Sequence, residues 1–289
     1  MSKPTIAIMY DFDKTLCTTD MQEYDFIKNL GITPAEFWDE ATKLTNAHDM
    51  DRILAYMYNM VRSCHERKIP LTREYLNECG KSIVLYKGVN SWFERINNYA
   101  AQIGCNVEHY IISSGITEII EGTEIAKYFK KIYGCSFMYN DEGEAVWPAI
   151  SINYTLKTQF IFRIQKDVLD VKDDYNLNKH QNAGKRIPFE NMIYIGDGST
   201  DVPCMKLLKE NGGKAIALFP AGERYKVQDL VEDNRLNYVC VADYSEGKTL
   251  EKIVKLMMDS ITIVNNLKSK EQQQISSFIR ASEAAVNEN

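Results

Sequence analysis

The fold is decided by one stretch near the start of the chain, Thr5-Ile6-Ala7-Ile8-Met9-Tyr10-Asp11-Phe12-Asp13-Lys14-Thr15-Leu16. Its first six residues are mostly apolar and rich in residues that favour strands, which predicts a buried β-strand. Because the apolar run stops at Asp11, the strand should end in a polar turn. That turn carries two carboxylates separated by one residue, and a buried pair of this kind needs a cation or hydrogen bonds to compensate it.

Two further predicted strands also run into unusual polar turns. The first, Val107 to Ile112, runs into Ser113-Ser114-Gly115, and the second, Met192 to Ile195, runs into Gly196-Asp197-Gly198. Apolar strands that alternate with helices predict an α/β fold with a parallel sheet, and ligands bind beyond the carboxyl ends of such strands. If the three strands are neighbours, the three turns face one crevice.

The segment between the first two strands has a different pattern. From about Asp20 to Leu85 the periodicity is helical, and Thr33-Pro34-Ala35-Glu36 has the features of a helix start with a capping box. We therefore predict a helical insertion over residues 20–85. The remaining predictions cover helices at 91–104, 117–130 and 157–167, strands at 132–139, 215–219 and 238–242, a hairpin turn at 140–144, a polar loop at 173–186 and a C-terminal helix from Leu250 that becomes polar after Asn266.

Composition excludes several classes of function. The 289 residues carry a formal net charge of -6 and no dense Lys/Arg block, so we expect no nucleic-acid partner. The seven cysteines are scattered without a CxxC pair, which predicts reduced thiols and no zinc site. The four histidines, His48, His65, His109 and His180, are too dispersed for a metal cluster. With no signal pattern and no apolar run long enough to span a membrane, we expect a soluble, cytoplasmic protein with no membrane partner.

The acidic turns suggest phosphate chemistry. Past a strand end, Asp11 can present an oxygen to phosphorus while Asp13 handles protons at the bridging oxygen. In Gly196-Asp197-Gly198-Ser199-Thr200-Asp201, two carboxylates four residues apart suit a hard cation such as Mg²⁺. Each motif also has a plain structural interpretation: a solvated turn for the first and an acidic first helical turn for the second.

The turn after the second strand and one lysine complete the pattern. Ser113 and Ser114 can hold phosphate oxygens with hydroxyl and amide groups, although a helix N-cap is the simpler interpretation of these two residues taken alone. Lys157, at a predicted helix start, can offset the crowded carboxylates, although an isolated lysine is usually solvated. The alternative candidate for this charge is Lys166.

In this order, these residues resemble the motifs of the haloacid-dehalogenase-like (HAD) phosphatase superfamily. Residues 11–16 resemble the first motif, and Lys157 resembles the lone lysine of the third. The second motif is matched by Ile112-Ser113-Ser114-Gly115. The fourth is matched by Tyr194-Ile195-Gly196-Asp197-Gly198-Ser199-Thr200-Asp201. The resemblance extends from Ile6 to about Phe219. It implies a Rossmann-like, doubly wound parallel sheet formed by residues 1–19 and 86–289. Residues 20–85 would then be an inserted helical cap domain, placed as in the phosphoserine-phosphatase-like subgroup.

The resemblance also implies a role for each site residue. Asp11 would be the nucleophile that forms an aspartyl-phosphate, and Asp13 the general acid and base. Thr15, Ser113, Ser114 and Lys157 would hold the phosphoryl group. Asp11, the carbonyl of Asp13 and Asp197 would bind Mg²⁺, with Asp201 orienting that shell. From the cap, Asp20, Arg52 and Arg62 are candidate substrate contacts.

The expected activity is therefore Mg²⁺-dependent hydrolysis of a small phosphorylated metabolite. A dehalogenase is excluded because the dehalogenases of this superfamily lack the second aspartate of the first motif, which is present here as Asp13. A P-type pump is excluded because no membrane span is present. Two alternatives stay open: a phosphomutase, and a binding or regulatory protein that has lost catalysis on the same fold. The identity of the substrate and the oligomeric state stay open as well.

Overall fold

Seven strands form one sheet in a computed structural model that describes residues 3–179 and 186–287. The strands are β1 (Thr5–Tyr10), β2 (Asn106–Ile116), β3 (Phe129–Tyr139), β4 (Ala145–Ile150), β5 (Met192–Gly196), β6 (Lys214–Phe219) and β7 (Tyr238–Val241). Their order in the sheet is β4-β3-β2-β1-β5-β6-β7. All neighbours are parallel except β3 and β4, which pair as the predicted antiparallel hairpin.

The first strand lies at the centre of the sheet. It is hydrogen-bonded in parallel to β2 on one side and to β5 on the other, and Tyr10 is in register with both Ile111 and Ile195. Every side chain from Ile6 to Tyr10 is buried, so both faces of the sheet are covered at this point. This arrangement brings the carboxyl ends of β1, β2 and β5 to one edge, as the apolar pattern of the three strands predicted.

Eleven α-helices are found in the described part of the chain. They are α1 (Asp25–Asn29), α2 (Pro34–His48), α3 (Arg52–Glu66), α4 (Arg73–Gly80), α5 (Val89–Ile103), α6 (Thr117–Glu121), α7 (Lys157–Lys166), α8 (Asp174–Asn178), α9 (Val202–Glu210), α10 (Gln228–Glu232) and α11 (Thr249–Asn287). Helix α5 packs against β2 and α11, while α9 packs against β5, β6 and α7. The capping box predicted for Thr33 and Glu36 is present at the start of α2.

The helical insertion leaves and re-enters the sheet domain at neighbouring points. Cys17 and Leu85 form an antiparallel bridge, and the Tyr86 amide donates to the Leu16 carbonyl at 2.9 Å. The four helices α1–α4 lie between these points. The division into domains at residues 20 and 85 stays a prediction.

The prediction of a helix over residues 117–130 is wrong beyond Glu121. Helix α6 ends at Glu121, and β3 already begins at Phe129. The reason is a close contact with α4 from the insertion: a Cβ on Gly122 would collide with the Asn77 carbonyl, and one on Gly80 would collide with the Ile119 carbonyl. Glycine lets these two backbones touch and also weakens the helix, so the helical pattern stops there.

Two other predicted segments differ in detail. The strand predicted to end at Ile112 continues as β2 through Ser113-Ser114-Gly115 to Ile116, with a shift of register against β3 after Ile112. The polar loop predicted at 173–186 contains the short helix α8, and its residues 180–185, which include His180, lie outside the described residues.

A chain of hydrogen bonds joins the buried Tyr10 of β1 to the exposed Asn97 of α5. Trp92 Nε1 donates to the Tyr10 hydroxyl at 2.9 Å, and this hydroxyl lies 3.1 Å from His109 Nδ1. His109 Nε2 lies 3.1 Å from Asn97 Oδ1, which can only accept. The histidine therefore carries its proton on Nε2 and is neutral, and burial lowers its pKa to about 3.

The last helix extends far beyond the sheet domain. Helix α11 has 39 residues, and Ile261 and Thr262 are its last buried positions among the side chains described. No helix in residues 3–179 and 186–287 is long and apolar enough to cross a membrane. The seven cysteines are all buried and free, which confirms the prediction of reduced thiols.

Candidate active site

Three aspartates converge at the carboxyl edge of the central strands. Asp11 directly follows β1, Asp197 directly follows β5, and Asp201 lies four residues further on, before α9. Each offers a carboxylate oxygen, and these oxygens all lie within 4.8 Å of one another. The Asp11 amide donates to the Ile195 carbonyl at 2.9 Å, which holds the two strand ends side by side.

A fully buried lysine lies among these carboxylates. Lys157 Nζ is 2.7 Å from Asp201 Oδ1 and 3.1 Å from Asp11 Oδ1. Burial by itself would lower the pKa of Lys157, but attraction to Asp11 and Asp201 outweighs burial and raises it. The alternative, Lys166, lies at the other end of α7 and donates to the Leu177 carbonyl instead. The structure therefore brings Lys157, and not Lys166, to the acidic cluster.

Asp201 is held in place by hydrogen bonds to its carboxylate. Its Oδ1 accepts from both Lys157 Nζ and the Tyr194 hydroxyl at 2.7 Å, and its Oδ2 faces the Gly198 amide at 3.4 Å. A Cβ on Gly196 would collide with this carboxylate, so glycine leaves the space in which it folds back. Asp201 in turn holds Lys157 beside Asp11. Tyr194 belongs to the fourth motif, but the sequence alone assigns it no role.

The cluster is short of positive charge. Burial and the charges of Asp11 and Asp201 raise the pKa of Asp197 to about 8. Burial and the charge of Asp201 raise the pKa of Asp11 to about 6, despite the nearby Lys157. Both carboxyl groups therefore resist ionisation in the protein alone. A divalent cation that prefers oxygen ligands would supply the positive charge that stabilises their ionised forms.

Asp13 points away from this cluster and toward the helical insertion. Its Oδ1 accepts from the Met21 amide at 2.7 Å. Burial, together with the charges of Asp20 and Asp11, raises its pKa well above the ordinary range. Asp20 is held close by an ion pair with Lys14, whose Nζ is 2.6 Å from Asp20 Oδ2. The carboxyl of Asp13 is thus not part of the aspartate cluster, and binding of a metal by its backbone carbonyl stays a prediction.

The hydroxyl residues line the same edge. Thr15 is buried and donates to Asp197 Oδ1 at 3.3 Å. Ser113 Oγ is buried and accepts from the Gly115 amide at 3.0 Å. Ser114 Oγ is buried without a hydrogen-bond partner among the described residues. Of the three hydroxyls, that of Thr15 contacts the cluster directly, through Asp197.

Two cavities open above this edge, between the sheet domain and the insertion. One, of about 330 Å³, is lined by Asp13, Asp20, Gln22, Trp38, Ala41, Thr42, Thr45, Arg52, Ile53, Tyr56 and Ser114. The other, of about 440 Å³, is lined by Asp51, Arg52, Ile53, Ser114, Asn153, Tyr154 and Thr200. Arg52 and Ser114 border both cavities. Arg62 borders neither, and its guanidinium pairs with Glu40 at 2.8 Å.

Several residues that shape the first cavity are not among the predicted site residues; of these, the sequence suggested only Tyr56, as a packing residue of the insertion that could line the substrate side. The Tyr56 hydroxyl donates to the Ser114 carbonyl at 2.6 Å and joins α3 to β2. Gln22 is buried, and its Oε1 has no hydrogen-bond partner in the described part of the chain. Trp38 packs edge-on against Tyr56. No local pattern marks these residues, because they meet only when the insertion folds over the sheet.

Comparisons with known proteins agree with this geometry. The family described as "Putative Phosphatase" matches residues 6–258. An uncharacterized protein of Borreliella burgdorferi is 24% identical in an alignment 273 positions long, which covers 85% of this chain and 93% of that protein. A HAD family hydrolase from Salmonella enterica serovar Typhi superposes with a TM-score of 0.55 at 16% identity, over 82% of this chain and 68% of that one.

A second solved structure extends the likeness to a whole relative. A phosphoserine phosphatase with an analogue of its phospho-aspartyl intermediate superposes with a TM-score of 0.52 at 15% identity, covering 88% of this chain and 99% of that one. At these identities the superpositions establish the fold, and the family match spans the motif residues from Asp11 to Asp201. The chain therefore belongs to the family described as "Putative Phosphatase", and it shares the fold of the HAD family hydrolase and of the phosphoserine phosphatase.

Proposed function

We propose that this protein is a Mg²⁺-dependent phosphatase that hydrolyses a small phosphomonoester through an aspartyl-phosphate on Asp11. The observation that carries the proposal is the buried cluster of Asp11, Asp197 and Asp201 around Lys157, which lies beside the separately held carboxyl of Asp13. One side of this arrangement is suited to hold a phosphoryl group and a cation. The other side is suited to hold a proton.

Asp11 is positioned as the nucleophile. Its Oδ1 accepts from the Phe12 amide at 2.8 Å and lies 3.1 Å from Lys157 Nζ. These contacts fix the carboxylate, and Oδ2 has no hydrogen bond among the described residues. In the first step Asp11 Oδ2 forms a bond to phosphorus as the bond to the leaving oxygen breaks. Lys157 stays beside the reacting group and offsets its negative charge.

Asp13 is positioned to move the proton. Its raised pKa keeps it protonated, so it can give its proton to the leaving oxygen in the first step. The resulting carboxylate then takes a proton from water as the water oxygen attacks phosphorus. That second step breaks the bond to Asp11 and releases inorganic phosphate. Asp20, held by Lys14, keeps a negative charge near Asp13 and supports its protonated form.

Magnesium fits the donor set at this edge. Asp11, Asp197 and the backbone carbonyl of Asp13 would hold the ion, with Asp201 orienting them, and bound Mg²⁺ would supply charge that stabilises the phosphoryl oxygens. The oxygen-only chemistry of the cluster and the raised pKa of Asp197 support this choice. Thr15 donates to Asp197 and so restrains one of these carboxylates.

The cavity above Asp13 favours a small leaving group. Its volume of about 330 Å³ lies at the lower end of small-molecule sites. The unpartnered Oε1 of buried Gln22 can only accept a hydrogen bond, so a leaving group that carries an N–H or O–H would satisfy it. We therefore expect a polar phosphorylated metabolite to be a better substrate than a phosphorylated hydrocarbon of equal size.

Phosphate release from a panel of phosphorylated metabolites tests the proposal. Turnover should require Mg²⁺, stop with EDTA, and disappear in Asp11→Asn. Asp39→Asn makes the same chemical change at an exposed site on α2 and should retain full activity. Peptide mass spectrometry of the rapidly quenched enzyme should find phosphate on Asp11. Turnover that survives in Asp11→Asn would contradict the proposed nucleophile and the mechanism built on it.

A further inference from the structure

The distal half of α11 presents a large apolar surface that the rest of the chain does not cover. At about 1.5 Å per residue, its 39 residues span about 58 Å. None of the side chains described between residues 263 and 282 is buried. Yet six of them are large and apolar: Ile263, Val264, Leu267, Ile275, Phe278 and Ile279. Leu267 is 62% exposed and Phe278 is 73% exposed.

These six residues lie on one side of the helix. At 100° per residue they fall within an arc of about 160°, and Glu271 lies near its middle. We call this surface the tail stripe: Ile263, Val264, Leu267, Glu271, Ile275, Phe278 and Ile279. The family match ends at residue 258, so the tail stripe lies beyond the part shared with that family.

The tail stripe is symmetric about Glu271. Ile263 and Ile279 are equally far from Glu271 in opposite directions, and so are Val264 and Phe278, and Leu267 and Ile275. A helix with this pattern is complementary to a second copy of itself that runs in the opposite direction. We propose that the tail stripe is a dimer interface, in which two copies of α11 pair antiparallel about a two-fold axis at Glu271.

The size of the stripe supports a second copy as its partner. The six large apolar side chains are between 43% and 73% exposed and present on the order of 100 Å² each, so two copies would bury about 1,200 Å². That area reaches the lower end of specific interfaces. A two-fold pair is also the usual closed arrangement, because the same surface serves both subunits and no face is left open.

The charges fit this partner better than a lipid surface. Between residues 263 and 282 the polar positions are mostly Asn, Gln and Ser, with Lys268, Lys270 and Arg280 as the cations. A helix that lies on an anionic membrane is usually rich in Lys and Arg on its polar face. In the antiparallel pair the two Glu271 side chains meet on the axis, and Lys268, one turn away, can neutralise them.

Sedimentation of the full chain tests the interface directly. Between about 1 and about 100 µM the wild type should sediment as a dimer. Leu267→Glu places one charge in the interface from each subunit, so the dissociation constant of the dimer should rise about 100-fold or more. Asn266→Glu adds the same charge at the neighbouring position outside the stripe and should leave the dimer intact. Circular dichroism and phosphate release should be unchanged in both variants.

Cross-linking tests the orientation of the pair. All seven native cysteines are buried, so a short bis-maleimide should react mainly with an introduced thiol. In the antiparallel pair Glu271→Cys lies opposite its own counterpart and should cross-link. Ser282→Cys lies about 33 Å from its counterpart along the helix and should not.

Three results would overturn the proposal. One is a wild type that remains monomeric over the whole concentration range. Another is self-cross-linking of Ser282→Cys, together with that of Glu271→Cys, which would mean a parallel pair. The third is a monomer that co-sediments with anionic phospholipid vesicles and loses this binding in Leu267→Glu, which would assign the stripe to a membrane surface.

Discussion

Replacement of Lys157 by methionine should lower the free energy of unfolding and abolish turnover. The lysine is fully buried, and its ammonium group compensates Asp11 at 3.1 Å and Asp201 at 2.7 Å. Methionine fills a similar volume without the charge, so it leaves both carboxylates buried and uncompensated. Removal of one partner from a buried ion pair costs about 3–5 kcal/mol. This is a large fraction of the stability of a typical protein, about 5–15 kcal/mol.

Urea unfolding at neutral pH with EDTA measures this cost. Lys166→Met is the matched control, because it makes the same change at the other end of α7, where the ammonium group donates to the Leu177 carbonyl and no carboxylate of the described residues pairs with it. We expect a loss below about 1 kcal/mol for the control, as for most changes outside a buried network.

A double-mutant cycle then identifies the partner. Asp201→Asn removes one of the two carboxylates but keeps an oxygen that can accept from Tyr194. The double variant Lys157→Met/Asp201→Asn should lose less stability than the two single variants together, by about 1 kcal/mol or more. Its catalytic activity should stay absent, since Lys157 is still missing beside Asp11. A loss below about 1 kcal/mol in Lys157→Met, or strictly additive losses, would refute the assignment.

Three further predictions concern the metal, the buried histidine and the cavity. Mg²⁺ should raise the melting temperature of the wild type and leave that of Asp197→Asn unchanged. In EDTA the variant should have a higher melting temperature than the wild type, because the raised pKa of Asp197 means that its negative charge is unfavourable in the folded protein. The folded pKa of His109, about 3, lies below the ordinary 6.5, so the contribution of His109 to the free energy of unfolding should fall as pH drops from about 6.5 to about 4.5, by up to about 1.4 kcal/mol per pH unit. Asp11, Asp13 and Asp197, whose pKa values are raised, contribute the opposite slope in the wild type and in His109→Gln alike. In urea titrations the free energy of unfolding of the wild type minus that of His109→Gln should therefore fall over this range, and a constant difference would show that His109 takes up no proton on unfolding. Gln22→Met should lower kcat/KM about tenfold for the best polar substrate and much less for a phosphorylated alkyl or aryl ester, and equal losses for both would remove Gln22 from leaving-group recognition.

The acidic residues of the site could be predicted because their signals are local. Asp11 and Asp197 each directly follow a short apolar strand, and parallel strands present their carboxyl ends at one edge. The sheet adds only that β1 lies between β2 and β5, which the apolar character of all three strands already favoured. The predicted strands and most predicted helices are found close to their expected bounds for the same reason: periodicity reports burial over a few residues.

The helix wrongly predicted beyond Glu121 shows where local reasoning fails. Residues 117–130 have acceptable helical propensity, but the approach of α4 requires glycine at position 122 and ends α6 early. That contact joins residues more than forty positions apart in the chain. Propensity cannot register such a contact, because it describes a segment surrounded by water and not one packed against another helix.

The sequence by itself determined the α/β class, the acidic turns and the family, because these depend on residue type and short-range spacing. Only the tertiary structure decided which lysine serves the site, since Lys157 and Lys166 lie at opposite ends of α7 and only one end faces β1. It also decided that Tyr194 supports Asp201 and that Gln22 reaches the cavity. These contacts depend on how helices are placed over the sheet, and that placement follows from packing of the whole chain.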